Sequence, residues 1–421
     1  MRHRDFSERH GLLGGMKLFR RASLAIACIL CVGFATPLAA GAQMPGPDTS
    51  TLTLSGSTTV PFTLSGNHIY VTAQIDGSPY AFIFDTGGAA TLAADLEARL
   101  KPEVIGHALI GGAGDALAPV DIVRVQKTTL GGVTYLNGRF VTLPAGFPGD
   151  SPIRGVRYGG ILGRELFAHL VTSIDYEKST LTFTEPAHFF PDPGASVIPV
   201  VMRHGIPHIT ASVNGHPGIF AVDAGSAQAL TLTQSFVDDS GLAKEFNSSI
   251  DVEIGRGIGG YLTGTASRAR TLEIGSISLK NPLSMVVHAK GGIFSDKTLG
   301  GNIGGDILRQ FTVTLDAPHG KLYLRPNASF GQPMVFNRAG MFSRSENGML
   351  RVVRVIPDSP AAVAGVQIGD VVAAINGTPA SRFSLEETRA IWLQQPGTRI
   401  ALDLTRGGKY MSVTFLLRDI L

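Results

Sequence analysis

The sequence is poor in charge and almost without cysteine. Only 16% of its 421 residues are charged, whereas 44% are hydrophobic and 52 are glycine. Long solvated helices need more charge than this, and abundant glycine suits short strands joined by tight turns, so the composition favours an all-β-dominated fold. A chain of this length exceeds one ordinary core, which predicts two or three domains.

An export signal is predicted over residues 1–42. Two arginines precede an apolar run that ends in a small-x-small signal-peptidase pattern at 40–42. The expected location is therefore the bacterial periplasm or the exterior of the cell. Met16 is an equally good start for such a signal. The apolar run is also about long enough to cross a bilayer, since spanning takes roughly 20 apolar residues, so an uncleaved membrane anchor is the open alternative.

No cysteine and no excess of positive charge remain once residues 1–42 are set aside. This segment holds both cysteines, six of the 36 basic residues and two of the 33 acidic ones, which leaves 30 basic and 31 acidic residues and a net charge of −1. The remainder has no disulfide or thiolate ligand, and it lacks the clustered positive charge that nucleic-acid binding needs. The eleven histidines form no cluster with metal-ligand spacing. We therefore expect no metal, no other cofactor and no nucleic-acid partner.

The chain contains an internal repeat. Residues 70–92 return 138 positions later, at 208–230. In each copy an alternating strand meets a Gly-containing turn, and a second apolar strand then ends on Asp-x-Gly. This pattern predicts two β-hairpins, each of which delivers one carboxylate at its tip, Asp85 in the first and Asp223 in the second.

A second pair of matching blocks indicates that a whole unit is duplicated. Residues 160–167 match 301–308 at an offset of 141, and a strand follows each block. Two blocks in the same order at nearly the same offset indicate a repeated unit of about 140 residues. We therefore place lobe one at 51–192 and lobe two at 193–328, with a proline-rich junction between them.

A glycine-rich stretch lies between the two blocks of each copy. It includes Gly112 and Gly114 in lobe one, and Gly259 followed by Tyr261 in lobe two. The equivalent placement predicts a mobile hairpin, called a flap below, over a cleft. The alternative is a plain surface turn, because long glycine-rich loops are only sometimes functional.

The residues around the two aspartates resemble the retropepsin-like aspartic proteases. Asp85 is followed by Thr and Gly after an apolar strand, and Ile-Leu-Gly lies downstream; the resemblance covers roughly 70–325. It implies two β-barrel lobes that form a pseudo-dimer in one chain, as in pepsin-like enzymes, with Asp85 and Asp223 as the catalytic pair. The residues implied to support the active-site loops are Thr86, Gly87, Gly163, Ala224, Gly225 and Gly304.

Peptide hydrolysis explains why two carboxylates are needed. One takes a proton from water and the other polarises and protonates the amide, and two aspartates held close share one proton. The expected function is an exported aspartic endopeptidase acting on a peptide or protein. One alternative is a non-catalytic peptide-binding scaffold that has lost turnover. A third possibility is a homodimer in which each lobe pairs with its copy in another chain.

Three positions depart from the family pattern. Gly88 follows the first motif where Ser, Thr or Ala is usual, Ala224 replaces a threonine, and Asn302 replaces an apolar residue. The family's threonine makes a buried hydrogen bond across the lobes, and such a bond contributes about 0.5–1.5 kcal/mol. Ala224 and Gly88 are the features that favour the scaffold alternative.

The pattern changes near residue 335. A strand, a turn with a short helix, and another strand and turn follow between 349 and 377, in the order found in PDZ domains of bacterial envelope proteases. The resemblance implies a PDZ-like α+β domain at 335–421 that binds a peptide, such as a protein C-terminus, as an added strand. Its binding-loop candidates are Gly340, Met341 and Phe342. The alternative is a domain used for packing or substrate presentation, without a peptide groove.

Overall fold

The computed structural model describes residues 48–144, 151–346 and 349–421. The predicted signal segment 1–42 lies outside these residues. Strands dominate the described chain and include a closed six-stranded barrel, which confirms the expected all-β-dominated class. Within the described ranges, none of the helices has the length and apolar character that a membrane crossing requires.

Lobe one is built from strands, with two short helices between them. The longest strands pair as hairpins, so most of its backbone groups are satisfied within the sheet. Its elements are β1 (Thr51–Thr53), β2 (Ser57–Ser65), β3 (His68–Ile75), β4 (Ser78–Asp85), β5 (Thr91–Leu92), α1 (Ala94–Leu100), β6 (Glu103–Ile110), β7 (Ala118–Leu130), β8 (Val133–Thr142), β9 (Arg157–Gly163), α2 (Arg164–Phe167), β10 (Val171–Asp175), β11 (Thr180–Thr184) and a 3₁₀ turn at Pro186–His188.

Lobe two repeats this order of elements. Its elements are β12 (Ser196–Pro199), β13 (Val201–Arg203), β14 (Ile206–Val213), β15 (His216–Val222), β16 (Leu230–Thr233), α3 (Gln234–Ser240), β17 (Ile250–Gly257), β18 (Gly260–Arg268), β19 (Thr271–Ile274), β20 (Ile277–Lys280), β21 (Leu283–Val287), β22 (Gly301–Ile303), α4 (Gly305–Leu308), β23 (Phe311–Asp316) and β24 (Lys321–Pro326), with 3₁₀ turns at Leu242–Glu245, Ile293–Ser295 and Ala317–His319.

The C-terminal region has its own sheet, in the order β25-β26-β27-β29-β30, and its own apolar core. Strand β25 lies at one edge of this sheet. The elements are β25 (Met341–Glu346), β26 (Met349–Val355), α5 (Pro360–Val363), β27 (Val371–Ile375), β28 (Thr378–Pro379), a 3₁₀ turn at Ala380–Arg382, α6 (Leu385–Trp392), β29 (Arg399–Arg406) and β30 (Lys409–Leu416).

The predicted hairpins form at both copies of the repeat. β3 and β4 are joined by Asp76 and Gly77, with φ of 48° and 80°, and β14 and β15 are joined by Asn214 and Gly215, with φ of 52° and 87°. Positive φ at both central residues matches the twist of the flanking strands, and Asp, Asn and Gly tolerate it best. Each turn therefore sets the register of the strand that leads to an aspartate.

A six-stranded sheet joins the lobes, in the order β12-β24-β23-β10-β11-β2. At its centre β10 pairs with β23, so that Ser173 lies opposite Thr314, the residue 141 positions later. Their hydroxyl oxygens are 2.8 Å apart. Counted outward from this contact, equivalent strands of the two lobes occupy the same places in the strand order. A local two-fold axis therefore relates the two halves of the sheet.

Candidate active site

The two aspartates end equivalent strands. Asp85 is the last residue of β4, and Asp223 directly follows β15. In each lobe the incoming strand pairs in parallel with the strand of the second matching block, β4 with β9 and β15 with β22. Both aspartates have 0% exposure. The fold therefore buries two carboxyl groups at the ends of matched strands.

The loops after the two strands bring the carboxyl groups together. Gly87 N–H donates to Asp85 Oδ1 at 2.7 Å, and Gly225 N–H donates to Asp223 Oδ1 at 2.9 Å. Each glycine also packs on the opposite carboxyl: an added Cβ on Gly225 would lie 2.1 Å from Asp85 Cγ, and one on Gly87 would lie 2.9 Å from Asp223 Cγ. Only glycine permits this close approach.

Burial and a neighbouring charge change the acidity of Asp85. Desolvation raises its pKa well above the ordinary value, and the charge of Asp223 and a side-chain hydrogen bond with it act in the same direction. The N–H groups of Gly87 and Gly225 oppose this effect in part. A pair of this kind holds one proton where two isolated carboxyls would both ionise.

Thr86 connects the two loops. Its Oγ1 donates to the Val222 carbonyl oxygen at 2.8 Å and accepts the Ala224 N–H at 2.8 Å. The side chain is buried, with 4% exposure. Ala224 is the residue of lobe two equivalent to Thr86, and it has no hydroxyl. The side-chain hydrogen bonds between these two loops are therefore made by Thr86 of lobe one alone.

We expect Thr86→Val to lower the free energy of unfolding by about 1–3 kcal/mol, because it leaves two buried backbone groups of lobe two without this partner. Urea unfolding measures this loss, provided that the free energy of unfolding depends equally steeply on urea concentration in parent and variant. Thr231→Val is the matched control: Thr231 is equally buried, and its Oγ1 has no hydrogen-bond partner among the described residues. An equal loss in both variants would show that Thr86 contributes through packing and not through its bonds.

The predicted glycines of the second blocks lie directly beneath the loops. An added Cβ on Gly163 would meet the Asp85 carbonyl oxygen at 1.7 Å, and one on Gly304 would meet the Gln228 carbonyl oxygen at 2.3 Å. Behind the first loop, Glu165 Oε2 accepts the Ala90 N–H at 2.8 Å. Each half-site is thus packed against the second block of its own lobe.

Sequence reasoning treated Asn302 as an irregularity and missed its contact. Asn302 has 1% exposure, and its Nδ2 donates to Asp223 Oδ2 at 2.6 Å. The available signal was a polar residue at a position where lobe one has Ile161. The side chain belongs to the site.

The two glycine-rich hairpins meet each other. Gly114 N–H donates to the Ile258 carbonyl oxygen at 2.9 Å, and Ala116 N–H donates to the Gly259 carbonyl oxygen at 3.0 Å. A Cβ on Gly114 would lie 2.3 Å from the Gly259 backbone. Gly112 contributes its carbonyl oxygen to Ile293 N–H at 3.0 Å. The two hairpins therefore contact each other between the lobes, and Gly112, Gly114 and Ile258 are buried there.

Ile258 at the tip of the second hairpin fills an apolar pocket of lobe one. It has 1% exposure and clusters with Ile83, Ala89, Ile110 and Ile161. Ile83 and Ala89 flank the loop that carries the first carboxyl. The hairpin tip thus occupies apolar space beside the pair.

Tyr261 of the second hairpin contacts the C-terminal region. The guanidinium carbon of Arg344, on β25, lies 4.3 Å from the centre of the Tyr261 ring, and that of Arg256 lies 5.4 Å from it. Arg344 also forms an ion pair with Glu253 on β17. Both strands of this hairpin are therefore held by one arginine of the edge strand β25.

The three PDZ candidates lie in different environments. Gly340 has φ of 70°, and a Cβ there would lie 2.1 Å from the Ser359 Cβ. Met341 is buried in the core of the C-terminal region. Phe342 packs edge-on against Phe336, with ring centres 6.4 Å apart. The N–H groups of Ala339 and Gly340 both donate to the Asn337 side-chain oxygen, at 3.1 and 3.0 Å.

Comparison with known proteins identifies two regions of the chain. Residues 71–166 match the family model of aspartyl proteases, and residues 351–406 match that of PDZ domains. The chain is 39% identical over 66 residues to the periplasmic pH-dependent serine endoprotease DegQ of Escherichia coli K12; the match covers 16% of this chain and 14% of that protein, and it lies over the PDZ region. The chain spans about a seventh of the length of this curated relative.

Two solved structures resemble the fold. The aspartic proteinase from Irpex lacteus is 15% identical, with 65% of this chain and 98% of that chain covered and a TM-score of 0.43. The retropepsin-like aspartic protease from Rickettsia conorii is 21% identical, with 31% and 89% covered and a TM-score of 0.23. The two family models show that the chain contains an aspartyl-protease-like region and a C-terminal PDZ domain.

Proposed function

We propose that this chain is an exported aspartic endopeptidase that hydrolyses peptide bonds with Asp85 and Asp223. The observation that carries the proposal is the burial of these two carboxyl groups side by side, each on a glycine loop at the end of a matched strand. A buried carboxyl pair that shares a proton supplies a base and an acid at the same point.

The proposed reaction uses the pair in two steps. One carboxylate takes a proton from water while the other gives its proton to the amide oxygen, and the water oxygen bonds to the carbonyl carbon. The C–N bond then breaks, as the first carboxyl returns its proton to the leaving nitrogen and the second regains one from the gem-diol. The proton count at the pair is restored, so no cofactor is needed.

Substrate entry requires the two hairpins to separate. The carboxyl groups have no exposed surface, and the Gly114 N–H is hydrogen-bonded to the Ile258 carbonyl oxygen of the other hairpin. An extended peptide would replace these backbone bonds, and an apolar side chain would replace Ile258 in its pocket. We therefore propose a preference for substrates with an apolar residue next to the cleaved bond.

The test is cleavage of a denatured protein mixture between pH 3 and 8 by the chain that begins at residue 43. Mass spectrometry of the products identifies the bonds that are cut, and enrichment of apolar residues beside them is the expected result. The competing proposal, a peptide-binding scaffold without turnover, predicts no new termini at any pH, together with retention of peptides by the folded protein.

The proposed role of the PDZ domain is to bind a peptide or a protein C-terminus beside β25. An added strand at this edge would lie next to Arg344, which also contacts Glu253 and Tyr261 of the second hairpin. Binding at the PDZ domain would thereby change how firmly that hairpin is held. Export is proposed from the predicted signal at 1–42, with a bacterial periplasmic or secreted location.

We expect Arg344→Ala to raise kcat/KM for a short peptide about two- to fivefold. The substitution removes a partly exposed ion pair, which contributes at most about 1 kcal/mol, and so makes opening of the second hairpin easier. Steady-state kinetics measure this change. Arg351→Ala is the control, because Arg351 pairs with Glu346 inside the PDZ domain. An unchanged rate in Arg344→Ala, or an equal rise in Arg351→Ala, would contradict the coupling.

A further inference from the structure

Asn302 makes the two halves of the carboxyl pair unequal. It lies on β22, opposite Ala221 of β15 and Thr231 of β16. Ile161 occupies the equivalent place on β9 and packs in the apolar cluster of lobe one. A side-chain donor is therefore built into the lobe-two half-site, at a position where the other half-site is apolar.

The hydrogen-bond donors around the two carboxyl groups differ accordingly. Asp223 Oδ1 accepts the N–H groups of Gly225 and Ser226 at 2.9 and 3.1 Å, and Oδ2 accepts the Asn302 amide at 2.6 Å. Asp85 Oδ1 accepts the Gly87 N–H at 2.7 Å. The Gly225 N–H also acts on the Asp85 carboxyl and lowers its pKa in part, but Asp85 Oδ2 is buried and has no hydrogen-bond partner within the described part of the chain.

These environments suit different protonation states. A buried carboxylate is stable when donors satisfy both of its oxygens, as they do at Asp223. A buried oxygen without a donor is satisfied when it carries the proton itself and donates to a neighbouring acceptor. Asp85 Oδ2 is such an oxygen, and the Asp85 side chain has a hydrogen bond with the carboxyl of Asp223.

We propose that Asn302 is a positioning residue that fixes the roles within the pair, holding Asp223 as the carboxylate that takes the proton of the attacking water and leaving the shared proton on Asp85 for the substrate carbonyl. This inference rests on the proposed function. The raised pKa of Asp85 agrees with it.

Two other titratable groups are affected by the pair or contact its loops. The charge of Asp223 contributes to raising the pKa of Tyr176, which burial raises most, so this phenol stays neutral between pH 3 and 8. Burial also raises the pKa of Glu165, whose carboxylate accepts the Ala90 N–H behind the first loop. Glu165 titrates as a carboxyl and must be separated from the pair in any pH experiment.

The test is the pH profile of kcat/KM for Asn302→Leu. The variant removes a hydrogen bond to a charged group, and the free energy of such a bond corresponds to a pKa shift of about one to two units. The acid limb is expected to move to higher pH by this amount. The alkaline limb should stay nearly fixed, because the donor contacts Asp223 in both ionised states of the pair. A lower maximum without displacement of the acid limb would overturn the assignment.

Three further variants separate the effect of the Asn302 donor from the effects of packing and of Glu165. Ile161→Val changes the matched position of lobe one and should leave the acid limb in place. The swapped variant Asn302→Ile with Ile161→Asn moves the donor to Asp85 and should return the acid limb toward its original pH. The displacement should persist when Asn302→Leu is combined with Glu165→Gln; its disappearance there would overturn the assignment.

A second measurement does not depend on cleavage. Carboxyl ¹³C NMR of the unaltered chain with labelled aspartate follows each side chain through pH 3–8, with the Asp85→Asn and Asp223→Asn proteins used for assignment. The expected result is ionisation at the Asp223 carbon while the Asp85 carbon stays protonated. The reverse order would overturn the inference. Absence of cleavage with the expected order would instead contradict the proposed function and leave only the order of ionisation within the pair.

Discussion

Replacement of either Asp85 or Asp223 with asparagine is expected to lower kcat/KM for peptide cleavage at least about a thousandfold. The amide neither takes a proton from water nor gives one to the substrate, so each variant loses one half of an acid–base pair. The two carboxyls are equally buried and lie on matched loops, so both losses should be of similar size. The measurement is steady-state cleavage of one peptide identified from the products. Full activity in either variant would exclude the pair as the catalytic site.

The unfolding temperature distinguishes this loss of activity from misfolding of the variant. The pKa of Asp85 is raised by burial and by Asp223, so above the ordinary pKa of aspartate the unfolded chain releases a proton that the folded chain retains. Stability therefore falls as pH rises toward the folded pKa, and it is fully present only below the unfolded value. Asp85→Asn should consequently unfold at a higher temperature than the parent at pH 7, and the difference should shrink at pH 3. A variant that is inactive and also destabilised at pH 7 would contradict this account.

Gly225→Ala should also abolish cleavage, with an expected loss of about a hundredfold or more. The new methyl would lie 2.1 Å from Asp85 Cγ and 2.3 and 2.5 Å from its oxygens. No rotation of a flexible side chain removes this overlap, so the first carboxyl or the second loop must shift. A displacement of about 1 Å at a reacting group costs roughly 10²-fold in rate, and such overpacking costs typically about 1–3 kcal/mol in stability.

Gly194→Ala is the matched control for this substitution. Gly194 lies in the exposed junction between the lobes, and its added Cβ would meet only the Asp192 side chain, at 3.2 Å. Activity and unfolding temperature should therefore stay close to those of the parent. Retained activity in Gly225→Ala would show that the two loops are farther apart in the working enzyme than in this structure.

The local elements could be predicted because their signals are local. The turns at Asp76 and Asn214 follow from Gly after a residue that tolerates positive φ, and the apolar strands after them point to the two aspartates. The repeat then predicted that the two strands leading to these aspartates belong to equivalent structural units. The boundaries proposed for the two lobes and the PDZ domain remain predictions.

The contacts between repeats could not be predicted from the same patterns. The pairing of Ser173 with Thr314 joins strands 141 residues apart, and one-residue changes in register would present the other face of each strand. The meeting of Gly114 with Ile258 and the contact of Arg344 with Tyr261 likewise depend on how whole lobes pack. Asn302 was noticed, but a single polar residue does not reveal which atom it will contact.

The central claim is that one chain carries a complete site, with one carboxyl from each lobe. Its most direct test is peptide cleavage by the parent, by Asp85→Asn, by Asp223→Asn and by an equimolar mixture of the two variants. Sedimentation at the same protein concentrations gives the mass of each sample in solution. We predict an active parent and no activity in either variant or in the mixture, because each variant chain lacks one half of its only pair. Activity that returns on mixing would mean that intact lobes pair between chains, and would contradict the claim.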